Sequence, residues 1–110
     1  MTAKNLPNPP YYAVIFVNQR TPDDNEGYGQ MADRMVELAQ CQPGFLGMES
    51  VREPAGKGIT VSYWQDLDSI QDWKQNLEHI EARKLGKEKW YEDYQLQVAK
   101  IEHGYRWIKS

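Results

Sequence analysis

The sequence predicts an α+β fold, a ferredoxin-like βαββαβ domain whose antiparallel sheet is covered by helices on one face. Three observations predict it. β-rich and helical runs alternate in that order, Pro and Gly separate the runs, and 110 residues suit a single domain. The proline-rich residues 1–10 are expected to form a flexible N-terminal arm, and residues 11–108 the domain itself.

The first strand and the first helix follow from two different periodicities. Along Tyr11–Arg20 apolar side chains alternate onto both faces, which indicates a strand that is covered on both sides. Along Gly27–Gln40, Met31, Met35 and Leu38 recur at helical spacing and predict an amphipathic helix.

The second and third strands are predicted over Phe45–Arg52 and Gly58–Trp64, because a turn containing Pro and Gly separates two β-rich runs. Tyr63 and Trp64 are consecutive in the third strand, so their side chains point to opposite faces of the sheet. Only one of the two can therefore point toward the helices.

The second helix is predicted to open at Asp68, which with Gln71 resembles a capping box, and to continue, with a bend, through Lys84. Tyr94–Ile108 is predicted as the last strand, with a break near Gly104. Two helices cover one face of such a sheet, so the apolar groups of the other face need a partner subunit, a ligand or both.

Composition excludes several classes of function. The chain has 13 basic and 16 acidic residues, a balance that disfavours a nucleic-acid partner. No apolar run is long enough to predict a membrane span, and the N-terminus lacks the pattern of a secretion signal, so a cytoplasmic location is expected. The single cysteine, Cys41, excludes an internal disulfide and a cysteine-based metal cage.

Few side chains are candidates for catalysis, ligand binding or metal ligation. The carboxylates of Glu78 and Glu81 stand at the wrong helical offsets to share a face with His79, so no metal site is predicted. Asn18 ends an apolar strand on the same side as Phe16, where an unpaired carboxamide would cost ~1–3 kcal/mol. Either a backbone group or a ligand oxygen would satisfy it. Trp64 and Trp73 are open to two interpretations, packing or substrate contact.

Three segments resemble a known family: QPGFLGMES from Gln42, SYWQDLDSIQDW from Ser62 and EHIEARKLG from Glu78. With the order of elements, they are similar to antibiotic biosynthesis monooxygenase (ABM) domains, especially small stand-alone bacterial ones. The resemblance implies a dimeric α+β barrel in which two sheets pack face to face and the last strand reaches the partner. It also implies oxidation of aromatic substrates by dioxygen without metal, flavin or any other cofactor.

The same resemblance suggests where the site lies. It implies a pocket between the sheet and the second helix, with Asn18, Trp73 and His79 as catalytic residues. A cation at Arg83 would suit a phenolate or carboxylate and gives an expected preference for small acidic aromatics. The expected substrate-binding residues are Arg83, Tyr63, Trp64 and Phe16.

One branch of this family degrades haem with an Asn on the first strand, a Trp on the second helix and a His ten residues after that Trp. Asn18 and Trp73 match the first two positions, but the third falls on Arg83, and His79 lies four residues earlier. The sequence therefore favours a cofactor-independent monooxygenase-like homodimer acting on a small aromatic or quinol-type molecule. A haem-binding or haem-degrading protein is the second hypothesis, and a non-catalytic dimer that binds a small apolar or aromatic ligand is the third.

Overall fold

The fold is taken from a computed structural model that describes residues 6–110. The first half of the predicted N-terminal arm, residues 1–5, lies outside the described residues, and residues 6–10 form neither helix nor strand. A short π-helical turn (Gly86–Trp90) precedes the last strand. The elements, in chain order, are β1 (Tyr11–Arg20), α1 (Asn25–Gln40), β2 (Phe45–Arg52), β3 (Lys57–Trp64), α2 (Leu67–Lys74), α3 (Leu77–Leu85) and β4 (Tyr91–Ile101).

The four strands form one sheet in the order β2-β3-β1-β4, and every neighbouring pair is antiparallel. This confirms the predicted α+β, ferredoxin-like class. Directly opposed residues share a face, so the register gives the face of each side chain. Trp64 lies opposite Tyr12, while Gly58 and Tyr94 both lie opposite Asn18.

The helices cover the face that carries Tyr12, Phe16, Asn18 and Arg20, which we call the helix-side face. Contacts with two helices identify it. The guanidinium of Arg20 lies 3.9 Å from the ring centroid of Tyr28 on α1. Trp64, which shares the face of Tyr12, stacks on a tryptophan of α2.

Within the span from Asp68 to Lys84, which was predicted as one helix with a bend, the structure has two separate helices, α2 and α3. The N-cap of α2 is Asp66, whose side chain accepts a hydrogen bond from the Ser69 amide at 2.8 Å. Asn76 caps α3 in the same way, accepting from the amide of Glu78 at 3.0 Å. Among residues 6–110, no helix is both long and apolar enough to span a membrane.

The last strand also differs from the predicted Tyr94–Ile108. It begins at Tyr91, because the backbone amide of Thr21 and the guanidinium of Arg20 both donate to the carbonyl of Trp90 and tie the chain to the end of β1. It ends at Ile101, which lies opposite Tyr11, the first residue of β1. Residues 102–108 have no strand of the sheet left to pair with.

The opposite face of the sheet, the outer face, carries a further set of apolar side chains. Val51 lies opposite Ile59, and Ile59 lies opposite Val17 on the other side. Val51 is 71% exposed and Ile59 is 40% exposed. The fully covered apolar side chains are few, namely Tyr11, Ala13, Ala39, Trp64, Ile70 and Trp90.

Candidate functional site

The predicted site residues form two groups at opposite ends of the helix-side face. Asn18 and Phe16 lie near the end of β1, whereas Trp64 lies opposite Tyr12 near its beginning. The six residues from Tyr12 to Asn18 correspond to roughly 20 Å along the strand. A ligand that touches both groups must therefore be elongated and lie along β1.

The first group is an aromatic column made of Trp64, Trp73 and His79. The Trp64 and Trp73 rings are nearly parallel with centroids 6.1 Å apart, and the His79 ring stacks on Trp73 at 4.4 Å. Trp64 is only 1% exposed, and Phe45 packs edge-on against it. The column joins β3, α2 and α3, and its Trp73 ring already has two ring neighbours within the protein.

His79 has a defined protonation pattern. Its Nδ1 lies 3.0 Å from the carbonyl oxygen of Trp73. A carbonyl only accepts, so Nδ1 carries the proton and Nε2 keeps its lone pair. Burial lowers the pKa of His79 below its usual value near 6.5; the Trp73 carbonyl opposes this shift, and the charges of Arg83 and Lys74 add to it. The side chain is consequently a neutral imidazole at neutral pH.

Asn18 dominates the second group. Its side chain is 2% exposed, and neither Oδ1 nor Nδ2 has a hydrogen-bond partner among residues 6–110. The backbone contact that the sequence allowed for this carboxamide is not formed there. An unsatisfied buried amide costs about 1–3 kcal/mol, so a ligand oxygen or hydroxyl at this point would recover that free energy.

The register decides between Tyr63 and Trp64. Trp64 points toward the helices, and Tyr63 lies on the outer face. The Tyr63 hydroxyl donates to Glu49 at 3.3 Å, and its ring packs on Tyr11. Burial, with the charge of Glu49, raises the pKa of Tyr63.

Arg83 and Phe16 are also placed by contacts. Arg83 is exposed, and its guanidinium donates to the carbonyl of Lys74 at 3.3 Å, at the end of α2. Phe16 packs against the rings of Tyr91 and Tyr94, each with centroids 5.4 Å away. Phe16 therefore belongs with Asn18, and Arg83 with the aromatic column.

Sequence reasoning missed the charged neighbours of Asn18. We call Asn18, Arg20, Tyr28, Arg52 and Tyr91 the polar end. Arg52 donates to the Tyr28 hydroxyl at 2.8 Å, and that hydroxyl lies 3.3 Å from the Tyr91 hydroxyl. Burial, with the bond to Tyr28, raises the pKa of Tyr91 well above its usual range. The available signal was that Arg20 and Arg52 each end a predicted strand.

No group of three His, Cys, Asp or Glu side chains within residues 6–110 is placed to hold a metal ion. Two shallow surface depressions are present, one lined by Val51, Ile59 and Arg52 of the polar end, and the other by Pro7, Leu46 and Gln65. Neither contains a residue of the aromatic column.

Comparison with known proteins identifies the family. The profile of the family described as antibiotic biosynthesis monooxygenase matches residues 10–85, which is 76 of 110 residues. The chain belongs to the antibiotic biosynthesis monooxygenase (ABM) family. Its monooxygenase-like character follows from that membership, and the resemblance seen in the sequence is confirmed.

Three similar proteins illustrate the range of this family. Uncharacterized protein YqjZ of Bacillus subtilis is 54% identical over 96 residues, covering 87% of this chain and 83% of that protein. Jasmonate monooxygenase ABM of Pyricularia oryzae is 30% identical over 95 residues; the match covers 82% of this chain and 43% of that longer protein. SnoaB, a cofactor-independent oxygenase from Streptomyces nogalater, shares the fold with a TM-score of 0.74 at 10% identity, covering 87% of this chain and 97% of that one.

Proposed function

We propose that this protein is a cofactor-independent monooxygenase acting on a small, flat aromatic or quinol-type molecule. The observation that carries the proposal is Asn18 on the helix-side face of an ABM domain, a buried carboxamide to which no described residue bonds. In the proposed reaction the substrate supplies the electrons. One atom of dioxygen becomes a carbonyl of the product, and the other leaves as water with two hydrogens of the substrate, one from its hydroxyl and one from the oxidised ring carbon.

Each proposed residue has one task. Nδ2 of Asn18 donates to the oxygen of the deprotonated substrate and stabilises the anion that reacts with dioxygen. The proposed base is His79, whose neutral imidazole carries its proton on Nδ1 and can accept one on Nε2. Because His79 lies near the other end of β1, this step requires a substrate that spans both groups. Trp73 and Trp64 bound the far end of a ligand that lies over Phe16, and Arg83 adds a positive charge beside the column. Tyr63 lies on the outer face of the sheet, where a second subunit would pack. Its proposed part in substrate binding therefore comes from that side.

Oxygen uptake tests this function. A panel of hydroxyarenes and quinols is offered to the purified protein with a metal chelator present, and products are checked by mass spectrometry for incorporation of one atom of labelled dioxygen. Asn18→Ala should lower the rate at least about tenfold while unfolding at a similar urea concentration. Asn8→Ala, at an exposed asparagine outside the sheet, is the matched control. Equal rates for the wild type and Asn18→Ala would overturn the assignment.

A homodimer is part of the proposal. The outer face leaves Val51 and Ile59 exposed next to Val17, and a second sheet packed on it would cover all three. We expect an interface of more than about 2,000 Å², within the range of permanent assemblies. Sedimentation should show a dimer at micromolar concentration and a shift toward monomer for Ile59→Asp. A stable wild-type monomer would contradict it.

Haem binding is the second candidate, and His79 is the observation that favours it. A neutral imidazole whose Nδ1–H bonds to a carbonyl presents Nε2 to a metal, as iron-ligating histidines do. Against it, the position that the resemblance aligns with the iron ligand is occupied by Arg83, and a guanidinium does not ligate iron. We expect haemin titration to give no sharp one-to-one Soret endpoint.

An endpoint that His79→Ala removes and Arg83→Ala keeps would make haem the better account. If the protein shows neither oxygen uptake nor haem binding but retains an apolar ligand, the non-catalytic binding dimer is the better description.

A further inference from the structure

We propose that Arg52 and Asn18 form a subsite for a carboxylate, so that the substrate is a small aromatic acid held by its acidic group at the polar end. The inference rests on the proposed function, whose site it deepens. It assigns the anion to Arg52 rather than to Arg83, where the sequence placed it.

The polar end carries two positive charges without counter-ions. Neither Arg20 nor Arg52 forms an ion pair with any carboxylate of residues 6–110. Arg20 is 8% exposed, and its shortest hydrogen bonds go to neutral groups, the Trp90 carbonyl at 2.7 Å and the Asn25 side chain at 2.9 Å. A buried guanidinium without a counter-ion makes its surroundings strongly attractive to an anion.

Gly58 brings the second charge next to Asn18. These two residues lie directly opposite each other on β3 and β1, where side chains on one face start roughly 5 Å apart. A Cβ atom built on Gly58 would lie 2.6 Å from Cζ of Arg52. The guanidinium therefore occupies the place of the missing side chain, immediately beside the carboxamide of Asn18.

The donors at this point outnumber the acceptors. Arg52 uses Nη1 to bond the Gly56 carbonyl at 2.6 Å and Nη2 to bond the Tyr28 hydroxyl at 2.8 Å. A guanidinium has five N–H groups, so several remain for a ligand, and Nδ2 of Asn18 has no partner among residues 6–110. A carboxylate, with two oxygens and no proton to donate, complements such an array.

Arg83 lacks these features. Arg83 is exposed, as Arg52 is, but it lies by the aromatic column. The buried unpartnered carboxamide found among residues 6–110, that of Asn18, lies at the other end of β1. An acid held at Arg52 would instead extend its rings over Phe16 toward Trp73.

The test compares two ligands of nearly the same shape, 1-naphthoate and 1-naphthamide, by calorimetry without oxygen so that no turnover intervenes. The amide lacks the negative charge and has an NH2 donor in place of one acceptor oxygen. Wild type should bind 1-naphthoate at least about tenfold more tightly, since hydrogen bonds to a charged group are the stronger kind. Arg52→Gln should abolish that preference. Lys57→Gln, which removes an exposed cation next to Gly58 but on the outer face, should keep it.

Gly58→Ala provides a second variant. Its methyl group would displace the flexible, exposed Arg52 side chain, so the preference should fall although Arg52 is present and the fold is retained. Equal affinity of wild type for the two ligands, or loss of the preference in Arg83→Gln but not in Arg52→Gln, would overturn the subsite. Oxygen uptake with neutral quinols would persist in that case, so the two failures are distinguishable.

Discussion

The aromatic column and the polar end share one sheet face but differ in how well their groups are satisfied. In the column, Trp73 has ring neighbours in Trp64 and His79, and the Trp64 indole nitrogen donates to Ser62 at 2.9 Å. At the polar end, Asn18 has no partner, and Arg20 and Arg52 have no counter-ion among the described residues.

This difference separates the groups of the column, which stabilise the fold, from the groups of the polar end, which a ligand could bind. Stacked rings lower the free energy of the folded state through their own burial. A buried carboxamide without a partner raises it, and such a group is retained only where something outside the fold benefits. Substitutions at the two ends should therefore act on stability with opposite signs.

The largest effect is expected for Trp64→Ala. Trp64 is 1% exposed and contacts both Phe45 and Trp73, so its removal should lower the free energy of unfolding by about 3–5 kcal/mol. Urea denaturation measures this loss. Trp107→Ala is the matched control, because Trp107 is 75% exposed and lies beyond β4. Similar losses in the two variants would show that the column does not stabilise the fold.

A glycine at each end gives the next comparison. Gly44 precedes Phe45 with φ of +82°, and a Cβ there would collide with the Ser69 side chain, so Gly44→Ala should lose more than about 1 kcal/mol. Gly58→Ala only displaces the end of Arg52 and should lose less. Thermal unfolding of both variants measures which substitution costs more stability. A larger loss for Gly58→Ala than for Gly44→Ala would contradict the contacts described for the two glycines.

The fold was largely predictable because alternation and turn residues are local signals. Asp66 was overlooked as the cap of α2 because Asp68, three residues before Gln71, matches the capping-box pattern, whereas Asp66 stands three residues before Ser69. The break before α3 depends on Asn76 capping a new helix, which the helical periodicity of the apolar residues does not reveal.

Individual residues of the site could be predicted from the sequence, but their positions relative to one another could not. Asn18 and Trp73 were found, but their separation along β1 depends on the register of β1 against β3. The choice of Trp64 over Tyr63 depends on the same register. Arg52 approaches Asn18 across an intervening strand and past a glycine, and no pattern within one segment encodes such a contact.

A smaller effect, of opposite sign, is expected for Asn18→Leu. Leucine has the same branching and the same number of side-chain heavy atoms, so it replaces the unpartnered amide without leaving a cavity. The free energy of unfolding should rise by about 1 kcal/mol, while oxygen uptake should be lost. Chemical denaturation and the oxygen electrode measure the two quantities. A marked loss of stability would indicate that the carboxamide has a structural partner after all.

The smallest effect concerns pH at the column. Burial holds the pKa of His79 below its unfolded value near 6.5, so between these two values the unfolded chain binds more protons than the folded one. The stability contributed by the neutral imidazole is present above pH 6.5 and is lost as the pH falls through the folded pKa. Melting temperature should therefore decline on acidification more steeply in the wild type than in His79→Gln.

His103→Gln, at the other, exposed histidine, should retain the wild-type slope. Parallel curves for the wild type and His79→Gln would mean that the stacked imidazole is as well hydrated as a free one. His79 would then not count among the buried groups of the aromatic column. The contrast between that column and the unpartnered Asn18 would depend on Trp64 and Trp73 alone.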